Sequence, residues 1–103
     1  MNKKKICRKK ISKECWNLNT VFFQWLKERL PVYLKEADKV IDLNYHKFIV
    51  DGKEFTQKEV IQMMITDLNF ITNVNTEDWS GIYYDKVNHL MQCWSKVILA
   101  MWW

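Results

Sequence analysis

Glycine and proline are almost missing from this 103-residue chain, which holds two Gly and one Pro. Tight turns draw on those residues, so a many-turned sandwich or barrel is excluded in favour of long helices. Loops that cradle phosphate need several glycines whose backbone comes close to the anion. Gly52 falls in a hairpin sequence and Gly81 at a helix entry, so neither belongs to such a loop.

Histidine is equally scarce, at two residues. Nucleophilic catalysis needs a Ser, Cys or Thr beside a base, with a third group behind the base. His46 opens a strand pattern and His89 sits on a helical surface, and no motif joins either to Cys7, Cys15 or Cys93 in that role. No catalytic residue is therefore expected, and the chain reads as a non-enzyme. Asp67, Asp78 and Asp85 read as solvated helix carboxylates. His89 and Cys93 lie four apart, a spacing that can put two ligands on one ion, with Cys7 and Cys15 as further donors. Yet there is no Cys-x-x-Cys knuckle, and the Cys7–Cys15 spacing matches no common zinc loop, so no metal and no cofactor are expected. Cys15 reads as a small core residue and Cys7 as a free thiol.

Long apolar runs are missing too. No stretch approaches the roughly 18 apolar residues of a membrane-spanning helix. The N-terminus opens with cations, but Lys and Glu interrupt the residues after them, so no leader-like apolar core is found. Three cysteines without a leader point to a reducing, cytoplasmic setting.

The chain is rich, by contrast, in apolar and aromatic substance. Hydrophobic residues make up 49%, aromatics 15%, and six residues are Trp. That composition can offset the entropy of ordering, which disordered chains cannot do. The length suits one domain with one core.

The net charge of +4 is unevenly spread. Residues 1–13 carry seven cations (Lys3, Lys4, Lys5, Arg8, Lys9, Lys10 and Lys13) and no acid, whereas the rest holds nine Lys or Arg against twelve Asp or Glu, a net of −3. A basic arm of this kind can meet phosphate, anionic lipid or an acidic protein face. It can equally be a solvated end.

Ser12 is a candidate N-cap with Glu14 in the first turn. From there Ile11, Cys15, Leu18, Phe22 and Trp25 recur at helical spacing and define an expected inner face. Pro31 predicts a kink or break near Leu30. A second piece from Val32 to about Asp42 would turn Tyr33, Ala37, Val40 and Ile41 inward. The segment from Tyr45 to Phe55 reads as a two-residue hairpin, because Asp51-Gly52 suits a type I′ turn; that register sets Val50 opposite Lys53 and Phe48 opposite Phe55. Thr56 and Glu59 then form a capping box, with Phe55 and Val60 as its staple, and start a helix at Gln57. Its inward residues are Val60, Ile61, Met64, Leu68 and Ile71. A last helix from about Ile82 to Met101 carries Tyr83, Val87, Leu90, Trp94, Val97 and Met101 on one line. Beyond Lys96 the sequence is apolar on every side.

The expected fold is thus mainly α: a small bundle of about four helices with one short hairpin before the third main helix. Residues 1–11 form a basic arm and residues 12–103 a single helical domain.

Six tryptophans exceed what a small core readily hides. Trp16, Trp25 and Trp94 fit core stripes, Trp79 falls in a loop, and Trp102-Trp103 either plugs the bundle or anchors an interface. The functional expectation is a small intracellular inhibitor or adaptor that occupies a surface on a protein partner. Its candidate contacts are Lys3, Lys4, Lys5, Arg8, Lys9, Lys10, Trp79, Trp102 and Trp103. Abundant Lys, Asn and Ile resemble the short accessory or anti-defence genes of phages and mobile elements. The competing expectation is a nucleic-acid-binding regulator that tracks phosphates with the same arm. Self-association through the C-terminal helix would also cover its apolar end.

Overall fold

The computed structural model of the chain describes residues 11–13, 15–73 and 81–101. Of these residues 76% are helical, in four α-helical segments and two 3-10 turns, with one two-stranded antiparallel hairpin, the small helical bundle expected. A helical turn at residues 11–13 and a 3-10 turn at Cys15–Asn17 precede α1, Leu18–Ala37. Strands β1, Lys47–Val50, and β2, Lys53–Thr56, lead into α2, Gln57–Asn73. The last helix, α3, spans Gly81–Val97 and ends in a 3-10 turn, Ile98–Ala100. Among the described residues no helix is long and apolar enough to cross a membrane.

Local chemistry explains the hairpin and the start of α2. Asp51 and Gly52 both adopt positive φ (52° and 76°), as the tight turn requires. The strands pair with Val50 opposite Lys53 and Phe48 opposite Phe55. At the junction, the Thr56 backbone N–H donates to Glu59 Oε1 (3.0 Å) and the Glu59 N–H to Thr56 Oγ1 (3.2 Å), a complete capping box. The two N–H groups between them, of Gln57 and Lys58, donate to the carbonyls of His46 and Leu43. The opening turn of α2 therefore has its orphan donors satisfied by the loop that precedes the hairpin.

The core forms around α2, which packs against both α1 and α3. Val60, Ile61, Met64, Leu68 and Ile71 are buried along it, as the periodicity predicts. They meet Phe23, Leu26 and Leu30 of α1, Leu90, Cys93 and Val97 of α3, and Val50 of the hairpin. Two cross-links add direction to this packing. Lys27 Nζ donates to Thr72 Oγ1 at 2.9 Å, joining α1 to α2. The buried Gln57 amide donates to the Tyr33 hydroxyl (3.3 Å) and to the Ala100 carbonyl (3.2 Å), tying α1 and the C-terminal turn to the head of α2.

Two expectations for the first half of the chain are corrected. Of the kink or break expected at Pro31, the break does not occur, and α1 runs through the proline as one helix instead of two pieces. Pro31 is exposed, while Leu26 and Leu30 before it and Ala37 after it are buried on one side, so tertiary packing outweighs the one lost hydrogen bond. The inward face of α1 also differs. Ile11, Cys15, Leu18 and Trp25 are exposed, and Phe22 is half-buried. The core side is Phe23, Leu26, Leu30 and Ala37. Helix α1 carries two apolar stripes, and periodicity alone singled out the one that this chain leaves uncovered. Val40, expected inside, is exposed because the helix ends at Ala37.

Substituting Thr56→Ala removes one half of the capping box. It should lower unfolding free energy by about 1 kcal/mol, read as a lower urea midpoint with an unchanged m-value.

Candidate functional site

The residues expected to make contacts, Lys3, Lys4, Lys5, Arg8, Lys9, Lys10, Trp79, Trp102 and Trp103, lie outside the described residues. So does Cys7. Within the described residues, two arrangements stand out: a polar cluster between α2 and α3, and an apolar face shared by α1 and α3.

The cluster centres on Asp67, which is buried (3% exposed) on the inward side of α2 and is not the solvated carboxylate expected. It faces two residues three apart on α3. His89 Nδ1 pairs with Asp67 Oδ2, and Lys86 Nζ lies 4.0 Å from Asp67 Oδ1. On the other side of the ring, His89 Nε2 lies 3.8 Å from Cys93 Sγ. The i, i+4 spacing noted in the sequence thus brings His89 and Cys93 together, with a carboxylate behind the imidazole. The sequence did contain a signal for the third member. Asp67 sits three residues after Met64 and four before Ile71, inside the apolar stripe of α2.

Carboxylate, imidazole and thiol in line are the parts of a nucleophilic triad, but the electrostatics oppose that use. Burial pushes the Cys93 thiol up to about 11, and the negative charges of Asp67 and Asp51 push in the same direction. The sulfur keeps its proton and is fully buried. The imidazole bridges the carboxylate and the thiol, Nδ1 paired with Asp67 and Nε2 beside the Cys93 sulfur, with the donor roles set by its tautomer. Every group in the row is satisfied by its neighbour, and no buried side-chain polar atom among the described residues lacks a partner. The thiolate that metal binding or attack requires is disfavoured. Among the described residues no group of three or more His, Cys, Asp or Glu side chains is placed to hold a metal ion.

The second arrangement stems from helical geometry. On α1, Phe22 turns toward α3, where its ring meets Trp94 edge-on with centroids 6.4 Å apart. One step further round from the core, Leu18, Trp25 and Val32 recur at seven-residue intervals, 59%, 45% and 58% exposed. On α3 the order is mirrored. Val87 and Trp94 are half-buried on the side toward α1, and beyond them come Tyr84 and Met91 and, in the 3-10 turn that ends the helix, Ile98, 51%, 43% and 43% exposed. At about 100° per residue, both stripes lie past the Phe22–Trp94 contact on the side away from α2. They border one apolar face. The guanidinium of Arg29 lies over the Trp25 ring, 4.6 Å from its centroid, and brings a cation to its α1 side. Trp25, expected in the core, belongs to this face.

No family model matches the chain, and neither a curated protein nor a solved structure is found similar to it. Function has to be argued from these two arrangements.

The cluster yields two expected outcomes. His89→Ala should destabilise by about 3 kcal/mol, because it strips a buried carboxylate of its nearest partner. Lys86→Ala should cost about 1 kcal/mol or less, because that ammonium is 4.0 Å away and partly solvated. Chemical denaturation of both variants checks the order. The second outcome concerns pH. The folded thiol holds its proton to about 11 against an ordinary value of 9.0. Across that window the native chain binds more protons than the unfolded one, so stability falls as pH rises from 9 toward 11. Cys93→Ala should flatten that fall in pH-dependent melts.

Proposed function

We propose that this chain is a non-enzymatic binding protein that occupies a surface on another protein, in the manner of a small inhibitor or adaptor. The observation that carries the reading is the apolar face of α1 and α3. Six large side chains in two stripes are left half in water, with the charged side chains of Arg29 and Glu36 among them on α1, and a large exposed apolar area bordered by polar groups marks an interaction site. The absence of an activated nucleophile at Cys93 supports the non-enzymatic part. Its thiol is protonated and enclosed, and its imidazole is committed to Asp67.

A nucleic-acid reading is favoured by a separate observation, the seven cations in residues 1–13 set against a body of net charge −3. Phosphate contacts made by that arm would weaken steeply with added salt, whereas apolar docking would not.

Capture of binding proteins from a nuclease-treated native extract by the full-length tagged chain separates the two. Proteins should be retained, untagged copies of the chain itself included, and Trp25→Glu with Met91→Glu should reduce retention at least tenfold, as loss of a buried anchor does. Binding that vanishes with nuclease or with truncation of residues 1–10, and is indifferent to the two substitutions, would favour the nucleic-acid regulator.

A further inference from the structure

We infer that the occupant of the α1–α3 face is a second copy of this chain, so that the protein is a two-fold dimer built on four facing helices. The inference rests on reading that face as a docking surface, and it names the partner.

Area is the first argument. From their fractional exposures, Leu18, Trp25, Val32, Tyr84, Met91 and Ile98 hold roughly 600 Å² of accessible side-chain surface on each copy. A standard interface covers about 800 Å² per partner, and in homodimers about two-thirds of the core of such a patch is apolar. The face alone therefore supplies the apolar area that a stable homodimer uses.

Pattern is the second argument. Both stripes repeat every seven residues, the interval that keeps one side of a helix turned toward a neighbour when the two wrap around each other at a crossing of about 20°. A helix needs that repeat where it runs beside another helix, and α1 already meets α2 through a different set (Phe23, Leu26, Leu30 and Ala37). On α1 the stripe is centred on Trp25, with Leu18 seven residues before it and Val32 seven after. An isologous contact needs a patch that complements itself under two-fold rotation. A two-fold axis near Trp25 sets Leu18 of one copy beside Val32 of the other. One face of each Trp25 ring already carries the Arg29 guanidinium, which Glu28 neighbours at 3.7 Å, so the indoles meet through their other faces and edges. The α3 line Tyr84, Val87, Met91, Trp94 and Ile98 carries no charge that would repel its own image.

The test is the mass of the full-length chain in solution, read by light scattering coupled to size exclusion over a range of concentrations. The expected result is twice the 12.6 kDa chain mass. Trp25→Glu and Met91→Glu should each return it to the monomer mass with the helical circular-dichroism signal retained, weakening self-association at least thirtyfold. Tyr45→Glu, at an exposed loop residue before the hairpin, should leave the dimer intact. Where a charged variant loses its helical signal, Trp25→Gln combined with Tyr84→Gln trims apolar area without adding charge and should give the same shift. A chain that stays at 12.6 kDa at all concentrations overturns the inference. So does a dimer that survives both face substitutions. In the first case the docking reading still stands if the same substitutions abolish capture of a foreign protein, and it falls as well if they leave that capture unchanged.

Discussion

Burial of α2 between α1 and α3 is the constraint on which the rest of the molecule depends. Three helices give one core when the middle one is covered by both of its neighbours, and α2 spends Val60, Ile61, Met64, Leu68 and Ile71 in that way. The flanking helices gain no equivalent cover. Each meets α2 along one stripe, and α1 and α3 reach each other through Phe22 and Trp94. With 49% hydrophobic residues, the chain carries more apolar surface than one such core consumes. Part of the surplus lies where α1 and α3 turn away from α2, and the rest is spread over Val40, Tyr45, Ile49, Phe70, Ile82 and Leu99. An exposed apolar face is thus a result of the architecture before it is a statement about function.

The middle helix can hold that position because its head is fastened in several ways at once. The capping box closes two backbone donors, the loop carbonyls of His46 and Leu43 take two more, and the Gln57 side chain reaches both Tyr33 and Ala100. Further along, Asp67 meets His89 and Lys86 in an otherwise apolar seam. Leucine there would gain burial but would fix the rotation and offset of α3 by shape alone. A buried carboxylate accepts one arrangement, the one that brings His89 and Lys86 to its two oxygens. This is the use of a buried polar group as a register mark, and it explains why His89 and Cys93 come together without forming a reactive pair.

How much of this could be read in the sequence differs from element to element, for physical reasons. The hairpin and the start of α2 were legible because their signals are local. Asp51-Gly52 sets its own turn, and Thr56 and Glu59 bond each other within one helical turn. The inward residues of α2 were legible because a helix covered by two neighbours is apolar over a wide arc, which leaves little choice of which side is buried. The expected stripe of Ile11, Cys15, Leu18, Phe22 and Trp25 begins ahead of α1 and continues along it with a spacing as regular as that of the true core side, Phe23, Leu26, Leu30 and Ala37. Periodicity reports that a face is apolar; which neighbour covers it is a tertiary fact. Pro31 misled in the same direction, since its local cost is real but smaller than the burial of the residues on either side of it. Asp67 was hidden by its type, because a carboxylate on a helix is solvated far more often than it is buried, and its cationic partner lies in a different helix.

In the sequence, most of the cations and the apolar stripes of α1 and α3 fall in different segments, and that difference shapes what the chain can do. The seven cations of residues 1–13 act at long range and are screened within about 10 Å at 0.1 M salt. The α1–α3 face acts on contact and gains nothing from dilution of salt. A partner drawn by the arm and a partner held by the face would therefore respond to ionic strength in different ways, even if they were the same molecule. Pairing two copies through their apolar faces would also double the cationic arms carried by one particle. Two weak phosphate-binding or acid-binding segments on one body reinforce each other through effective concentration when their target offers two sites within reach. Covering the face would then increase the chain's capacity to bind, because the dimer contact and the arm use different residues and different forces.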